Sequence, residues 1–154
     1  MRHSLKTTVF TFVAILSLIL SANTASAADI QWYGYDDGLA LAKKQGKKVF
    51  LYFWADWCQY CKKMEEETLS KKEVAALLGK NYIPVKINMD ADQRLASQYF
   101  VRGLPTTWFL SETGEKISNL PGYVAHDLFL PILDYIQSDS YKQMTFKEFL
   151  AKKK

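Results

Sequence analysis

A run of apolar and aromatic residues, KVFLYFWA, leads almost directly into Cys58 and Cys61, the only two cysteines of the chain. Such continuous hydrophobicity is typical of a strand that is buried on both faces of a sheet. From Cys58 onward, CQYCKKMEEETL contains neither Gly nor Pro and repeats its inward positions every three to four residues, which predicts a helix. The sequence therefore predicts a buried strand that delivers a cysteine to the first turn of a helix.

The rest of the chain alternates between helical and strand-like patterns. DDGLALAKKQGKK predicts a helix that stops at Gly46, and SKKEVAALLGK predicts another, with Ser70 as its N-cap and Gly79 as its stop. YIPVKINM predicts a strand, DADQRLASQYF a short helix, and TTWFL a strand joined by a tight turn to the next one. AHDLFLPILDYIQSD predicts a helix that Pro131 should kink or break, and TFKEFLAKK a short helix behind Thr145.

This order of elements predicts the fold class. Strands that alternate with helices indicate an α/β domain. The late pair of strands, joined by a tight turn, indicates that the central sheet is mixed and has an antiparallel edge. We therefore expect a mixed sheet that is flanked by helices.

The first residues have the three parts of a secretory signal peptide. Arg2 and Lys6 form a basic start, Val9 to Leu20 is an uncharged apolar run, and a small-residue motif ends at Ala27. The apolar run is shorter than the roughly 20 residues that a membrane span needs, although an uncleaved anchor remains an alternative. We expect export to the periplasm and cleavage after about Ala27.

Composition limits the number of domains and the kinds of partner. The 154 residues are 49% hydrophobic and 23% charged, which suits one packed domain. We assign residues 1–27 to the signal peptide and 28–154 to a single domain with a short C-terminal helical extension. Basic residues are interspersed with acidic ones rather than clustered, so the sequence gives no support for nucleic-acid binding.

The cysteine pair favours redox chemistry over a structural role. A disulfide across two intervening residues closes a very small loop and constrains the unfolded chain little. A helix N-terminus favours the thiolate, so Cys58 should have a lowered pKa and partial exposure. Cys61, one turn into the helix and more buried, could then resolve a mixed disulfide.

Metal binding is a weaker interpretation of the same pair. Structural zinc needs four ligands, and beyond the leader the chain offers the two cysteines and one histidine, His126. We therefore predict no metal site and no cofactor other than the redox-active disulfide between Cys58 and Cys61. A copper carrier that uses the two thiolates, or an inert disulfide, remains open.

Three stretches resemble thioredoxin-fold proteins: FWADWCQYCK, VRGLPTTWFLSETGEKI and LPGYV with the helix after it. The first is most similar to the C-terminal periplasmic domain of DsbD-type electron transporters and to SoxW-like exported thioredoxins. The resemblance implies that Cys58 attacks substrate disulfides and that Cys61 resolves them. It also implies a cis-proline at Pro105 that faces the pair. Substrate contacts are implied for four residues: Trp57, Gln59, Tyr60 and Leu104.

The sequence departs from this family at one position. Thioredoxins usually carry a buried aspartate six residues before the first cysteine, where this chain has Tyr52. Glu65 lies four residues after Cys61, on the same helical face, and the DsbD-type domains resemble the chain in having a glutamate there. Glu65 is therefore our candidate for the group that accepts the proton of the resolving thiol, although it could equally belong to a solvated run of glutamates.

The resemblance implies a protein-disulfide oxidoreductase that acts as a reductant. Its expected partners are oxidised client proteins and a membrane electron donor of the DsbD type, and the chain is expected to be a monomer. A disulfide-forming oxidant or an isomerase is the alternative within the same enzyme class.

Overall fold

A mixed four-stranded sheet forms the centre of the computed structural model, which describes residues 29–153. The strands are β1 (Lys48–Trp54), β2 (Tyr82–Asn88), β3 (Thr106–Leu110) and β4 (Lys116–Pro121), in the spatial order β2-β1-β3-β4. β1 pairs in parallel with β2 and antiparallel with β3, and β3 pairs antiparallel with β4. The predicted mixed sheet with an antiparallel edge is confirmed.

Between residues 29 and 153, six α-helices surround this sheet. They are α1 (Tyr35–Gln45), α2 (Gln59–Met64), α3 (Lys72–Asn81), α4 (Gln93–Gln98), α5 (His126–Gln137) and α6 (Phe146–Lys152). A π-helical turn, Glu65–Leu69, continues α2, and a 3₁₀ turn, Ser140–Lys142, lies between α5 and α6. Thr145 caps α6 in a capping box with Glu148, which confirms the predicted terminal helix.

The alternation of side chains along β1 separates the two helical layers. Phe50 and Tyr52 point into a core that also contains residues of α2, α3 and α5. Leu51 and Phe53 point the other way, into a core with residues of α1 and α4. Because β1 is central and its five inner residues are buried, both of its faces are covered. The helix that carries Cys61 therefore lies on the Tyr52 side of the sheet.

Two predicted helix boundaries were wrong, and one predicted break is absent. Ser70 ends the π-helical turn, because its N–H donates to the Glu65 carbonyl, and Lys71 is the N-cap of α3 instead. Gly79 lies inside α3, which continues for two residues beyond it. Pro131 lies within α5, which runs past it without a break. The stop at Gly46, with φ of 63°, is confirmed.

The proposed leader falls outside the described residues. Both the apolar run Val9–Leu20 and the cleavage site near Ala27 precede residue 29. Between residues 29 and 153, no helix combines the length and the hydrophobicity that crossing a membrane would require.

Candidate active site

Cys58 occupies the junction between β1 and α2. It is the N-cap of α2, and its Sγ accepts a hydrogen bond from the N–H of Cys61 at 3.1 Å. A turn after β1 sets this geometry, since the Cys58 N–H donates to the Ala55 carbonyl at 3.1 Å. A disulfide joins Cys58 to Cys61, with 5.2 Å between their Cα atoms. One sulfur atom therefore lies at a helix N-terminus, where unpaired N–H groups favour negative charge.

Cys58 is more buried than the sequence predicted, whereas Cys61 is buried as expected. Cys58 is 4% exposed and Cys61 is 1% exposed, so the partial exposure expected of Cys58 is not observed. The reason is that the disulfide holds both side chains against the core that contains Phe50 and Tyr52. Cys58 is nevertheless the more exposed of the two cysteines, as predicted.

Exposed side chains surround the buried disulfide. Trp57 and Tyr60 are 60% and 63% exposed, and Gln59 is also exposed. The indole N–H of Trp57 donates to the Asp90 carboxylate at 2.8 Å, which holds this ring at the surface. Substrate contact by Trp57, Gln59 and Tyr60 stays a prediction, but all three are accessible to a partner.

The Leu104–Pro105 peptide bond lies at the same edge of the sheet and is cis. The following residue, Thr106, pairs with Phe53 near the end of β1 that leads to Cys58. The Pro105 carbonyl accepts the N–H of Gly122 at 2.7 Å, and Leu104 is half-buried. The topology therefore brings Leu104 and Pro105 to the edge at which α2 begins.

Tyr52 occupies the buried position where thioredoxins usually have a carboxylate. Its side chain is fully buried, and its hydroxyl donates to the Cys61 carbonyl at 3.3 Å. Burial raises the pKa of this hydroxyl well above its ordinary value, and the nearby Glu65 carboxylate raises it further. Tyr52 therefore stays protonated and cannot act as a base near neutral pH.

Glu65 differs from the two glutamates that follow it. Its Oε1 lies 3.0 Å from Nζ of Lys86, is shielded from solvent, and accepts no hydrogen bond of good geometry. The Lys86 ammonium also lies 4.1 Å from the ring centre of Trp54. Glu66 and Glu67, by contrast, are exposed. Glu65 is therefore a partly exposed, ion-paired carboxylate, 37% exposed and one helical turn from Cys61.

A cavity of about 310 Å³ opens beside Glu65. Its wall includes Trp32 and Ile30 of the segment before α1, and Leu69 of the π-helical turn. A volume of this size holds several water molecules. Glu65 therefore borders an opening that can hold water.

Sequence reasoning missed Lys86 and Asp90. Lys86 pairs in register with Tyr52 across β1 and β2, and it is the only charged residue in the apolar run YIPVKINM, a signal that could have identified it. Asp90 follows the carboxyl end of β2, next to the carboxyl end of the parallel strand β1. Polar residues at that edge of parallel strands commonly belong to a site.

The part of the chain between residues 29 and 153 contains no group of three or more histidine, cysteine, aspartate or glutamate side chains that could hold a metal ion. The site geometry that the described residues do provide is a disulfide at a helix N-terminus with a carboxylate one turn away.

Comparison with known proteins identifies one family and several relatives. The family described as "Thioredoxin-like domain" matches residues 35–137. The DsbD thiol:disulfide interchange protein of Vibrio cholerae is 39% identical over 97 residues, which are 60% of this chain and 16% of that protein. The disulfide bond reductase DsbH of Chlamydia pneumoniae is 27% identical over 107 residues, which are 62% of this chain and 64% of that protein. The chain thus spans less than two thirds of either relative.

Solved structures that resemble this chain also include a thioredoxin and a DsbD domain. A thioredoxin from Thermus thermophilus has a TM-score of 0.64 and 33% identity, over 70% of this chain and 86% of that one. The oxidised C-terminal domain of DsbD from Neisseria meningitidis has a TM-score of 0.54 and 26% identity, over 68% of this chain and 97% of that one. The similarity to DsbD proteins therefore concerns one terminal domain of a longer chain.

Proposed function

This chain belongs to the thioredoxin-like domain family and carries the cysteine pair of a protein-disulfide oxidoreductase, and from that premise we propose that it reduces disulfides of exported client proteins. The observation that carries the proposal is the position of Cys58 Sγ, which caps α2 and accepts the Cys61 N–H. The relative DsbH is a disulfide bond reductase, which supports the reducing direction. Export rests on the leader pattern of the sequence.

The first step is an attack by the reduced chain on a client disulfide. The Cys58 thiolate forms a bond to one client sulfur, the client S–S bond breaks, and the other client sulfur leaves as a thiolate that takes up a proton. The N–H groups at the start of α2 stabilise the attacking thiolate. Trp57, Gln59 and Tyr60 contact the client around the reacting sulfur, and the Leu104–Pro105 segment binds its backbone.

The second step releases the reduced client. Cys61 loses its proton, its sulfur attacks Cys58 Sγ, and the bond between Cys58 and the client breaks. The client leaves with two added electrons and two protons, and the chain is left with the Cys58–Cys61 disulfide that the structure contains. Glu65, one turn from Cys61 and beside the cavity, accepts the Cys61 proton and passes it to solvent.

The next turnover needs a dithiol that reduces the Cys58–Cys61 disulfide. A membrane electron transporter of the DsbD type has the required chemistry, and the similarity of this chain to a DsbD domain supports that donor. We propose that the chain works as a monomer in the periplasm and receives electrons there.

The reduction potential tests the direction of transfer. If the chain is a reductant, its potential should lie near that of thioredoxin, about −270 mV, rather than near that of a strong oxidant, about −120 mV. Equilibration of the purified chain with glutathione or dithiothreitol buffers, followed by quantification of the thiol and disulfide forms, gives this value. A potential near −120 mV would instead support the disulfide-forming alternative.

Replacing Glu65 with glutamine should slow the second step by about 100-fold, the lower end of the contribution of a positioned general base. The first attack by Cys58 should keep its rate, because Glu65 is not at the N-terminus of α2. The effect should be largest below neutral pH, where hydroxide is too scarce to replace the lost base. Stopped-flow measurement of mixed-disulfide formation and decay separates the two steps.

Glu66→Gln is the matched control, because Glu66 is adjacent, exposed and on another face of the helix. It should leave both steps unchanged. Glu67→Gln should also leave the second step unchanged, although it replaces the charged acceptor of the Tyr123 hydroxyl with a neutral one. Equal rates of mixed-disulfide decay in all three variants would remove Glu65 from the mechanism.

A further inference from the structure

Phe100 is the most exposed large apolar side chain between residues 29 and 153. It is 75% exposed, compared with 63% for Tyr60, 60% for Trp57 and 47% for Leu128. Trp57 and Tyr60 flank the cysteine pair, which explains their exposure in a protein that binds clients. Phe100 lies outside that site, and no step described above uses it.

The backbone makes phenylalanine an unfavourable choice at this position. α4 ends in a Schellman motif: the Phe100 N–H donates to the Ser97 carbonyl at 3.0 Å and the Val101 N–H to the Ala96 carbonyl at 2.9 Å. This motif gives Phe100 a φ of 53°, in the left-handed region that glycine occupies without strain. A phenylalanine here therefore stabilises the fold less than a glycine would. Strain of this kind, kept together with an exposed aromatic ring, indicates a function.

Phe100 is linked to the cysteine site through its neighbours in the chain. It lies five positions before Pro105, so the two Cα atoms are at most about 18 Å apart. On the other side, Val101 lines a hollow of about 220 Å³ together with Met89 and Asp90, and Asp90 holds the Trp57 indole. An extended client segment of about five residues covers a distance of up to about 18 Å.

The charges beside Phe100 indicate which chemistry this surface binds. The Lys116 ammonium lies 5.3 Å from the centre of the Phe100 ring and 4.6 Å from that of Tyr99. Arg102, two residues further along, is exposed. An apolar ring beside the Lys116 ammonium, with the exposed Arg102 two residues further along the chain, complements an apolar side chain that has a carboxylate next to it.

We propose that Phe100 is a docking residue that binds an apolar side chain next to a carboxylate in the oxidised client protein. The apolar side chain packs on the Phe100 ring, and the carboxylate faces Lys116 and Arg102. The contact lies a few residues from the client cysteine, so it favours some clients over others without touching the reacting sulfur atoms. This proposal rests on the proposed function, because it needs a chain that exchanges disulfides with clients.

The test compares two disulfide-linked peptide probes that differ only away from the cysteine. One probe carries the dipeptide Phe-Asp four to six residues from its cysteine, and it is made in two versions, with the dipeptide before or after the cysteine. The other probe carries Ser-Asn at the same positions. We expect the reduced wild-type chain to react about tenfold faster with one of the Phe-Asp peptides than with its Ser-Asn counterpart. Partial burial of one aromatic side chain contributes a binding free energy that corresponds to about this factor. Phe100→Gly should reduce this ratio to about one, and Phe100→Leu should retain part of it.

Phe100→Gly also separates docking from folding. Because glycine adopts this φ freely, the thermal midpoint of the variant should stay the same or rise. A ratio near one in the wild type, or an unchanged ratio in Phe100→Gly, would overturn the docking role while leaving the proposed function intact. A loss of self-association in Phe100→Gly with an unchanged ratio would assign the residue to contact between copies and would also overturn it. No reaction of the wild type with any peptide would instead contradict the proposed function itself.

Discussion

Replacing Cys58 with serine should abolish disulfide exchange, with a loss on the order of 10³-fold or more in the rate of client reduction. The reason is that a serine hydroxyl stays protonated near neutral pH and attacks sulfur poorly, whereas a cysteine at a helix N-terminus is readily ionised. Removal of an enzyme's nucleophile generally has an effect of this size. The measurement is the initial rate of reduction of a protein disulfide, such as that of insulin, by the pre-reduced chain.

The substitution should leave the fold intact. Serine matches cysteine in size and can also cap α2, since its hydroxyl accepts the Cys61 N–H as the sulfur does. The correct reference is the reduced wild-type chain, because the variant cannot form the Cys58–Cys61 disulfide. Thermal unfolding of the two should agree closely, because neither chain contains the disulfide and serine keeps the N-cap of α2. Exchange within tenfold of the wild type by a folded Cys58→Ser chain would show that the nucleophile lies elsewhere.

The sheet and its helices could be predicted largely from local patterns. The apolar run before Cys58 is long enough to identify a strand buried on both faces, and the spacing after it identifies a helix. The position of the pair at the strand–helix junction follows from those two patterns alone. The mixed sheet followed from the order of elements together with the tight turn before β4.

The boundaries that failed depend on hydrogen bonds that residue spacing does not specify. The π-helical turn Glu65–Leu69 changes the bonding after α2, so Ser70 ends one helix instead of starting the next. Gly79 was read as a stop because glycine often ends helices, but α3 continues to Asn81. At Phe100 the opposite failure occurs: α4 ends in the left-handed conformation, but the sequence has no glycine there from which the end could be predicted.

The surroundings of the cysteines required the tertiary structure. Glu65 meets Lys86 only because β1 and β2 pair in a register that sets Lys86 beside Tyr52. The burial of Cys58 likewise depends on the core beneath the disulfide, and a local sequence pattern does not predict that contact. The sequence could therefore identify the cysteine pair, but not the contacts that position it.

Replacing Cys61 with serine should convert the second step into a trap. Cys58 keeps its place at the N-terminus of α2 and still attacks client disulfides, but without the Cys61 thiol nothing within the site breaks the mixed disulfide. Client reduction should therefore stop after one attack, and covalent complexes should accumulate in a stoichiometry of one client per chain. Their lifetime should exceed that of the wild-type intermediate by orders of magnitude, because only external thiols remain to release them.

The most direct test of the account is to express the Cys61→Ser chain with its leader in the native compartment and to identify what stays attached to it. Rapid acid quenching, non-reducing separation and mass spectrometry give both the client and the linked cysteine, and Cys58→Ser is the matched control. We predict exported proteins joined through Cys58 and released by dithiothreitol, with none on the control. If Cys61→Ser captures no more protein than Cys58→Ser, the chain does not exchange disulfides in the way proposed here.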